Sequence, residues 1–311
     1  MGARCYQTVA RAEWADRNEH VNIRWFVVVF DDAGDADHQA RGSETMDLEH
    51  HAVYRNAGSA FIRLYWNVVS IPFSGPRRMN YSKTIVCLAN SRKPGGRCVA
   101  GKTVDGVASG EWIRPVSARS SAEISSEERQ YQNGQEAEIL EIVEIPMIAH
   151  VPRVHQTENH MIDANFYWSR QGALTWVDLR ALVDEPLSLW ENGDSTYHGS
   201  NDRVTHDVAA RFHNSLLLIK PQNVSIRVLA PGAAFGNPKR KVRAAFRYQA
   251  TYYDLMVTDI QNEKAFLAKP DGTYPIDQDV FFCISLAEGH GDGYCYKLAA
   301  AVFSAQPLGG V

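Results

Sequence analysis

No run of the sequence approaches the roughly 18 consecutive apolar residues that a membrane-spanning helix needs. The best candidates, residues 25–30 and 215–219, are the length of single strands. The opening residues carry neither the basic flank nor the apolar stretch of a secretory signal peptide. Cysteine is scarce: Cys5, Cys87, Cys98, Cys283 and Cys295 are odd in number and never form a CxxC pair. These absences argue against a disulfide-stapled secreted domain and against a helical membrane protein, and they predict a soluble protein of the reducing cytoplasm. Charge of one sign is missing too, since 32 Lys+Arg against 36 Asp+Glu leave a net charge of −4. The chain as a whole has no field suited to coating nucleic acid or an anionic membrane, so any anion-binding function must rest on a local patch.

Lysine is absent from residues 1–78, which hold nine arginines, whereas residues 79–311 hold fourteen arginines and nine lysines. The first segment offers two strand-like stretches, 22–30 and 59–69, separated by a polar stretch, 31–51, with seven acidic residues and no clear period. The composition break predicts that translation normally starts at Met79 and that residues 1–78 are a non-native or poorly ordered extension. A genuine extra region is the alternative.

What is present after Met79 is ordinary globular material, 45% hydrophobic and 10% aromatic over the whole chain, cut into short strands by turn residues. Strands are expected at 83–89, 97–101 and 111–116, the first two joined by Lys93-Pro94-Gly95-Gly96. Ser125 and Glu128 have the spacing of a capping box for one short helical piece, and Asn133-Gly134 turns the chain into a strand at 138–145. That set, 79–150, suits a small barrel. Residues 151–213 read as a partly helical connector, with Trp176, Leu179, Leu182 and Val183 at helical spacing and a loop rich in Asn, Gly, Asp and Ser at 192–200. A second run of strands, at 216–220, 224–229, 241–249, 251–258, 280–286 and 294–302, predicts a second barrel over 214–303 and leaves 304–311 as a flexible tail. The expected fold class is mainly β, a β-rich α+β chain.

Several segments, in order, carry a resemblance: KTIVCLANSRK at 83–93, GRCVAGK at 96–102, WIRPVS at 112–117, HQTEN at 155–159 and YKLAA at 296–300. Over roughly residues 82–302 the chain resembles the bacterial proteins described as carrying a dual OB-containing domain. The resemblance implies two OB-like barrels and a nucleic-acid-binding role in a bacterial defence or mobile-element setting, with no established activity.

The strongest physical signal is the run Lys239 to Tyr248. In a strand, Lys241, Arg243, Ala245 and Arg247 share one face while Val242, Ala244, Phe246 and Tyr248 share the other, so one face packs and the other presents cations. Tyr252, on the following strand, is placed to stack on a base. The alternative is a solvated sheet face with the tyrosines in the core. A second cluster, Arg92, Lys93, Arg97 and Lys102, surrounds the Pro94-Gly95-Gly96 turn and offers a grip on backbone phosphates through side chains and exposed amides. Within it, Gly96 to Thr103 matches GxxxxGK[ST] literally, yet no helix pattern follows, so a nucleotide cradle is not expected. Trp112 and Arg114 lie on a strand that Pro115 marks as an edge or end, where OB folds bind nucleic acid; the alternative is Trp112 in the core with Arg114 as a solvated charge. His155, Gln156, Glu158 and Asn159 form a polar connector site suited to reading base edges, to holding an ion, or to tying the two barrels together, and the tie is favoured.

His150, His155 and His160 recur every five residues, on neither one helix face nor one strand face, and no metal site is expected. Ser195, His206 and Asp207 lack a nucleophile-elbow context, so no catalytic residue is assigned and no cofactor is implied. The reading favoured by these residues is a non-enzymatic module for single-stranded or structured nucleic acid, with catalysis supplied by a protein partner and no membrane contact. A nucleotide-sensing or hydrolytic enzyme using the groove around residues 155–159 is the alternative, and a protein–protein adaptor is a third reading.

Overall fold

The computed structural model describes residues 81–104 and 110–308, together with a two-residue strand pair, Leu48–Glu49 with Asn67–Val68. The chain divides into two units, Met1–Arg78 and Met79–Val311. The Met79 start, the expected strand at 22–30 and all of the one at 59–69 except Asn67 and Val68 lie outside the described residues.

The first strand of the Met79–Val311 unit, β1 (Tyr81–Lys93), is apolar at both parities from Ile85 to Ala89 because both of its faces are buried. Ile85 and Cys87 point into a barrel core with Val99, Ile113, Val143, Ile145, Met147, Ile162 and Trp168. Val86, Leu88 and Ala89 point the other way. The chain reverses through Pro94-Gly95, where Pro fixes φ and Gly95 takes φ +82°, as the third position of a type II turn requires. Then come β2 (Gly96–Thr103), β3 (Trp112–Val116), β4 (Glu141–His150) and β5 (Asn159–Ile162). The strand order is β1–β2–β3–β5–β4, with β4 pairing back onto β1 to close the barrel and β3 parallel to β5. A further strand, β6 (Ser169–Ala173), pairs with the outer part of β4. Between β3 and β4 a short helical turn, Glu127–Arg129, sits in the expected capping box: the Ser125 amide donates to Glu128 and the Glu128 amide donates to Ser125 Oγ. The barrel therefore closes with Asn159–Ile162, beyond the boundary expected at residue 150.

The second barrel repeats this order with two strands interrupted. After the short β7 (Arg203–Thr205) and α1 (His206–Ala209) come β8 (Leu216–Ile219) and β9 (Gln222–Leu229), parted at Lys220-Pro221, where proline has no N–H for a ladder. β10 (Lys241–Tyr248) and β11 (Thr251–Val257) follow, then α2 (Ile260–Leu267), begun by the Asp259 side chain accepting from the Asn262 amide. β12 (Gly272–Pro275) pairs with β9, β13 (Val280–Leu286) pairs with β8, and β14 (Tyr294–Ser304) runs parallel to β11. Read through the breaks, β8/β9 is a single first strand and β12/β13 a single fourth strand, so the order is again one, two, three, five, four. Its core holds Ile226, Val228, Val242, Phe246, Tyr253, Leu255, Phe282 and Ile284. Helix α2 and strand β12 were not foreseen. The spacing of Trp176 to Val183 yields only a 3-10 turn, Asp178–Leu182.

A third apolar cluster joins the barrels. Val86, Leu88, Ala89 and Ala100 of the first meet Leu216, Leu218, Phe281, Cys283, Ala301 and Phe303 of the second, with Leu179 from the intervening segment. Each fully buried Leu or Phe here contributes about 1.5–3 kcal/mol. The two barrels are thus fused along one side of each, which decides which faces stay open. Among the described residues no helix is long and apolar enough to cross a membrane.

Candidate nucleic-acid interface

In OB barrels the face over strands two and three, flanked by the loop between strands one and two, is the usual ligand side. In the first barrel that face carries Cys98, Ala100 and Lys102 of β2 beside Trp112 and Arg114 of β3, and it is spent on the second barrel and the connector. Lys102 Nζ is buried and donates to Leu182 O and to Asp184 Oδ1, both at 2.6 Å. Trp112 Nε1 donates to Asp184 Oδ2 at 3.0 Å, and its ring lies under Lys102 Nζ at 5.2 Å. Arg114 is buried between the barrels, donating to Ser215 Oγ at 2.7 Å and Ser285 Oγ at 3.4 Å, with Glu158 3.4 Å away and Cys98 Sγ 3.0 Å away. Lys102 and Arg114, candidates for phosphate contact, are therefore internal, and Trp112 beside them is half-buried.

Arg92 and Lys93 also reach across rather than outward. Arg92 makes a two-pronged contact with Glu263 of α2, at 3.1 and 3.0 Å, and Lys93 Nζ lies 2.9 Å from Glu288. Arg97 is half-buried on β2, its amide bonded to Ile124 O. Gly96–Thr103 is extended strand throughout, and a Cβ on Gly101 would stand 2.0 Å from Val86 O, so this segment cannot wrap a phosphate.

The 155–159 segment connects the first barrel's last two strands and binds to the second barrel. His155 Nε2 lies 3.0 Å from Ala287 O, which places its proton on Nε2, and Gln156 donates to Leu286 O at 3.4 Å. Thr157 donates to His213 O, Ser215 Oγ donates to Glu158, and Asn159 donates to Gln156. Burial holds the His155 imidazole below its ordinary pKa. His155, Gln156 and Glu158 are thus engaged by the second barrel, while Asn159 bonds back within the segment. His150 and His160, expected to share no face, are brought together instead. β4 and β5 pair them across the ladder, with rings 4.7 Å apart and the Tyr81 hydroxyl 2.8 Å from His160 Nδ1. Burial, then the neighbouring His150 and Lys83, push the His160 pKa down to about 4.

The second barrel's corresponding face, over β9, β10 and β11, remains partly open. Its centre is an ion knot: Arg243 Nε donates to Asp254 Oδ1 at 2.6 Å, Arg243 Nη2 donates to Asp202 Oδ2 at 2.7 Å, and Arg227 also pairs with Asp254. Arg243 is only 5% exposed and Ala245 is buried, so the expected stripe of free cations is broken at its middle. Asp202 arrives on residues 191–202, which cross this face. There the Ser200 and Asp254 backbones exchange hydrogen bonds, Asn201 Nδ2 donates to Tyr252 O at 2.9 Å, and His198 Nε2 lies 3.0 Å from Pro231 O.

Around the knot, Lys239 and Arg247 are exposed and Lys241 is half-exposed, and none of the three has an acidic partner among the described residues. Arg247 stands directly across the ladder from Tyr252, which is 43% exposed, while Tyr253 is wholly buried. Two exposed aromatic residues not foreseen from the sequence lie on neighbouring segments: Phe235 on the loop between β9 and β10, 84% exposed, and Tyr197 on the crossing segment, 90% exposed, its ring edge-on to His198 at 4.7 Å. The signal for both was a large aromatic inside a stretch of turn residues, with no core pattern to absorb it.

The family model described as a dual OB-containing domain matches residues 83–302. No curated protein and no solved structure matches the chain.

Proposed function

The chain belongs to the dual OB-containing domain family, and on that premise we propose that it is a binding module for nucleic acid, using the β9–β11 face of its second barrel. The observation that carries this reading is the pairing of exposed rings with unneutralised cations on the side where OB barrels take ligands. Tyr252 and Arg247 are cross-strand neighbours, and Phe235 and Lys239 share the adjoining loop. Cations neutralise phosphates without regard to sequence, and exposed rings stack on unpaired bases, so the two together favour single strands. The module acts by recognition, as part of a bacterial defence or mobile-element system in which a partner protein supplies the chemistry. The nucleotide-sensing alternative at residues 155–159 is less favoured, because those side chains are engaged in contacts between barrels.

The test is binding of labelled single-stranded oligonucleotides to the full chain at two salt concentrations. Salt-sensitive binding that is lost on combining Lys239→Glu, Lys241→Glu and Arg247→Glu supports the reading. Binding that the three substitutions leave intact contradicts it.

A further inference from the structure

Residues 191–202 are more than a linker. They lie over the open face of the second barrel, and cross-links hold them along their length. Lys297 Nζ, buried beneath, donates to Glu191 O at 2.7 Å and to Asn192 Oδ1 at 3.2 Å. Asp194 accepts from Arg203 at 2.8 Å, the Gly193 amide donates to Asn201 Oδ1 at 2.7 Å, and Ser195 Oγ accepts from the Asn201 amide at 2.9 Å. The Asp202 carboxylate accepts from both the amide and the hydroxyl of Thr196, at 2.7 and 2.6 Å, while also taking the Arg243 guanidinium. At Gly199 a Cβ would fall 1.8 Å from Asp202 Oδ2 and 2.4 Å from Arg243 Nη2, so the segment is seated as closely as backbone allows. Yet Tyr197, in the middle of this tightly held stretch, projects into solvent.

We propose that residues 191–202 form a fixed wall of the ligand site, with Tyr197 as a stacking platform, and that each chain therefore binds one short single-stranded segment. The proposal rests on the nucleic-acid reading of the β9–β11 face. The limit on length follows from the two barrels' unequal fates. The first barrel's equivalent face is closed, with Lys102 and Arg114 each only 4% exposed, so no second OB surface extends the path. On the second barrel the knot already neutralises Arg227 and Arg243. On this face, among the described residues, Lys239, Lys241 and Arg247 are left for phosphates, and Tyr252, with Phe235 and Tyr197 on neighbouring segments, for bases. A site of that content corresponds to about 4–6 nucleotides, the low end of what a single OB barrel covers. A single strand is favoured over a duplex as ligand because a duplex's bases are already stacked on one another and cannot lie on the rings.

The experiment is a length series of oligothymidylates, from about 3 to about 16 nucleotides, titrated against the full chain and against Tyr197→Ala. The expected result is one site per chain, affinity that stops rising by about 6 nucleotides, and a loss of roughly 5- to 150-fold in Tyr197→Ala with an unchanged melting temperature. Affinity that keeps rising past about 12 nucleotides, a second site per chain, or full affinity in Tyr197→Ala would overturn the wall and leave the nucleic-acid reading standing. No binding of any oligonucleotide at low salt would overturn both.

Discussion

Arg243 Nη2 lies 2.7 Å from Asp202 Oδ2, joining two residues 41 positions apart across the outer face of the second barrel. With Asp254 on the far side of the same guanidinium, the contact turns what the sequence presents as the middle of a cationic stripe into a buried, neutralised anchor. Removing one partner of such a pair leaves a buried charge without compensation, at a cost of about 3–5 kcal/mol. Arg243→Ala is expected to lower stability by that amount in denaturant unfolding, whereas Arg247→Ala, exposed on the same strand, is expected to change it by less than about 0.5 kcal/mol. Equal stabilities for the two variants would contradict the assignment of Arg243 to structure.

Arg114 plays the corresponding part between the barrels. Its guanidinium gathers Ser215, Ser285, Glu158 and Cys98 from elements on both sides. Arg114→Ala strands the Glu158 carboxylate in a buried position and is expected to cost about 3–5 kcal/mol, with the two barrels losing their mutual protection in hydrogen exchange. Unaltered exchange along β8 and β13 would show that the apolar cluster alone holds the barrels together.

His160 predicts an acid limit. Its folded pKa, about 4, lies below the ordinary 6.5, so between those values the unfolded chain binds more protons than the folded one. Stability is then fully present above about pH 6.5 and falls as the pH drops toward 4. The lowered pKa of His155 acts in the same direction. The groups facing His160 are Tyr81, His150, Lys83 and Glu111. His160→Gln is expected to flatten the fall in melting temperature between about pH 6.5 and 4, and a slope identical to that of the unsubstituted chain would remove His160 as its source.

Most strands were legible in the sequence because turn residues frame them and because burial on both faces makes them continuous apolar runs. Val280 to Leu286 is such a case: Phe282 and Ile284 enter the barrel core while Phe281 and Cys283 enter the cluster between barrels. Helix α2 was not legible, since Gln261, Asn262, Glu263 and Lys264 give it little apolar pattern and only Phe266 is buried. β12 was hidden because Gly272 and Pro275 read as punctuation. At the site, period-two alternation correctly set Arg243 and Arg247 on one face, but alternation is blind to what arrives from elsewhere. Asp202 comes from the connector, and Glu263 and Glu288, which take Arg92 and Lys93, come from the other barrel. The same blindness kept His150 and His160 apart in the sequence, where only the β4–β5 ladder joins them.

The decisive measurement is the salt dependence of single-strand binding by the full chain. With Lys239, Lys241 and Arg247 as the phosphate contacts, the slope of log affinity against log salt should be about −2, roughly 0.7 for each of three neutralised phosphates. Combining Lys239→Glu, Lys241→Glu and Arg247→Glu should bring the slope close to zero along with the affinity. A slope of about −2 that survives the triple substitution would mean that nucleic acid is held elsewhere on the molecule, and the β9–β11 face would lose its assignment.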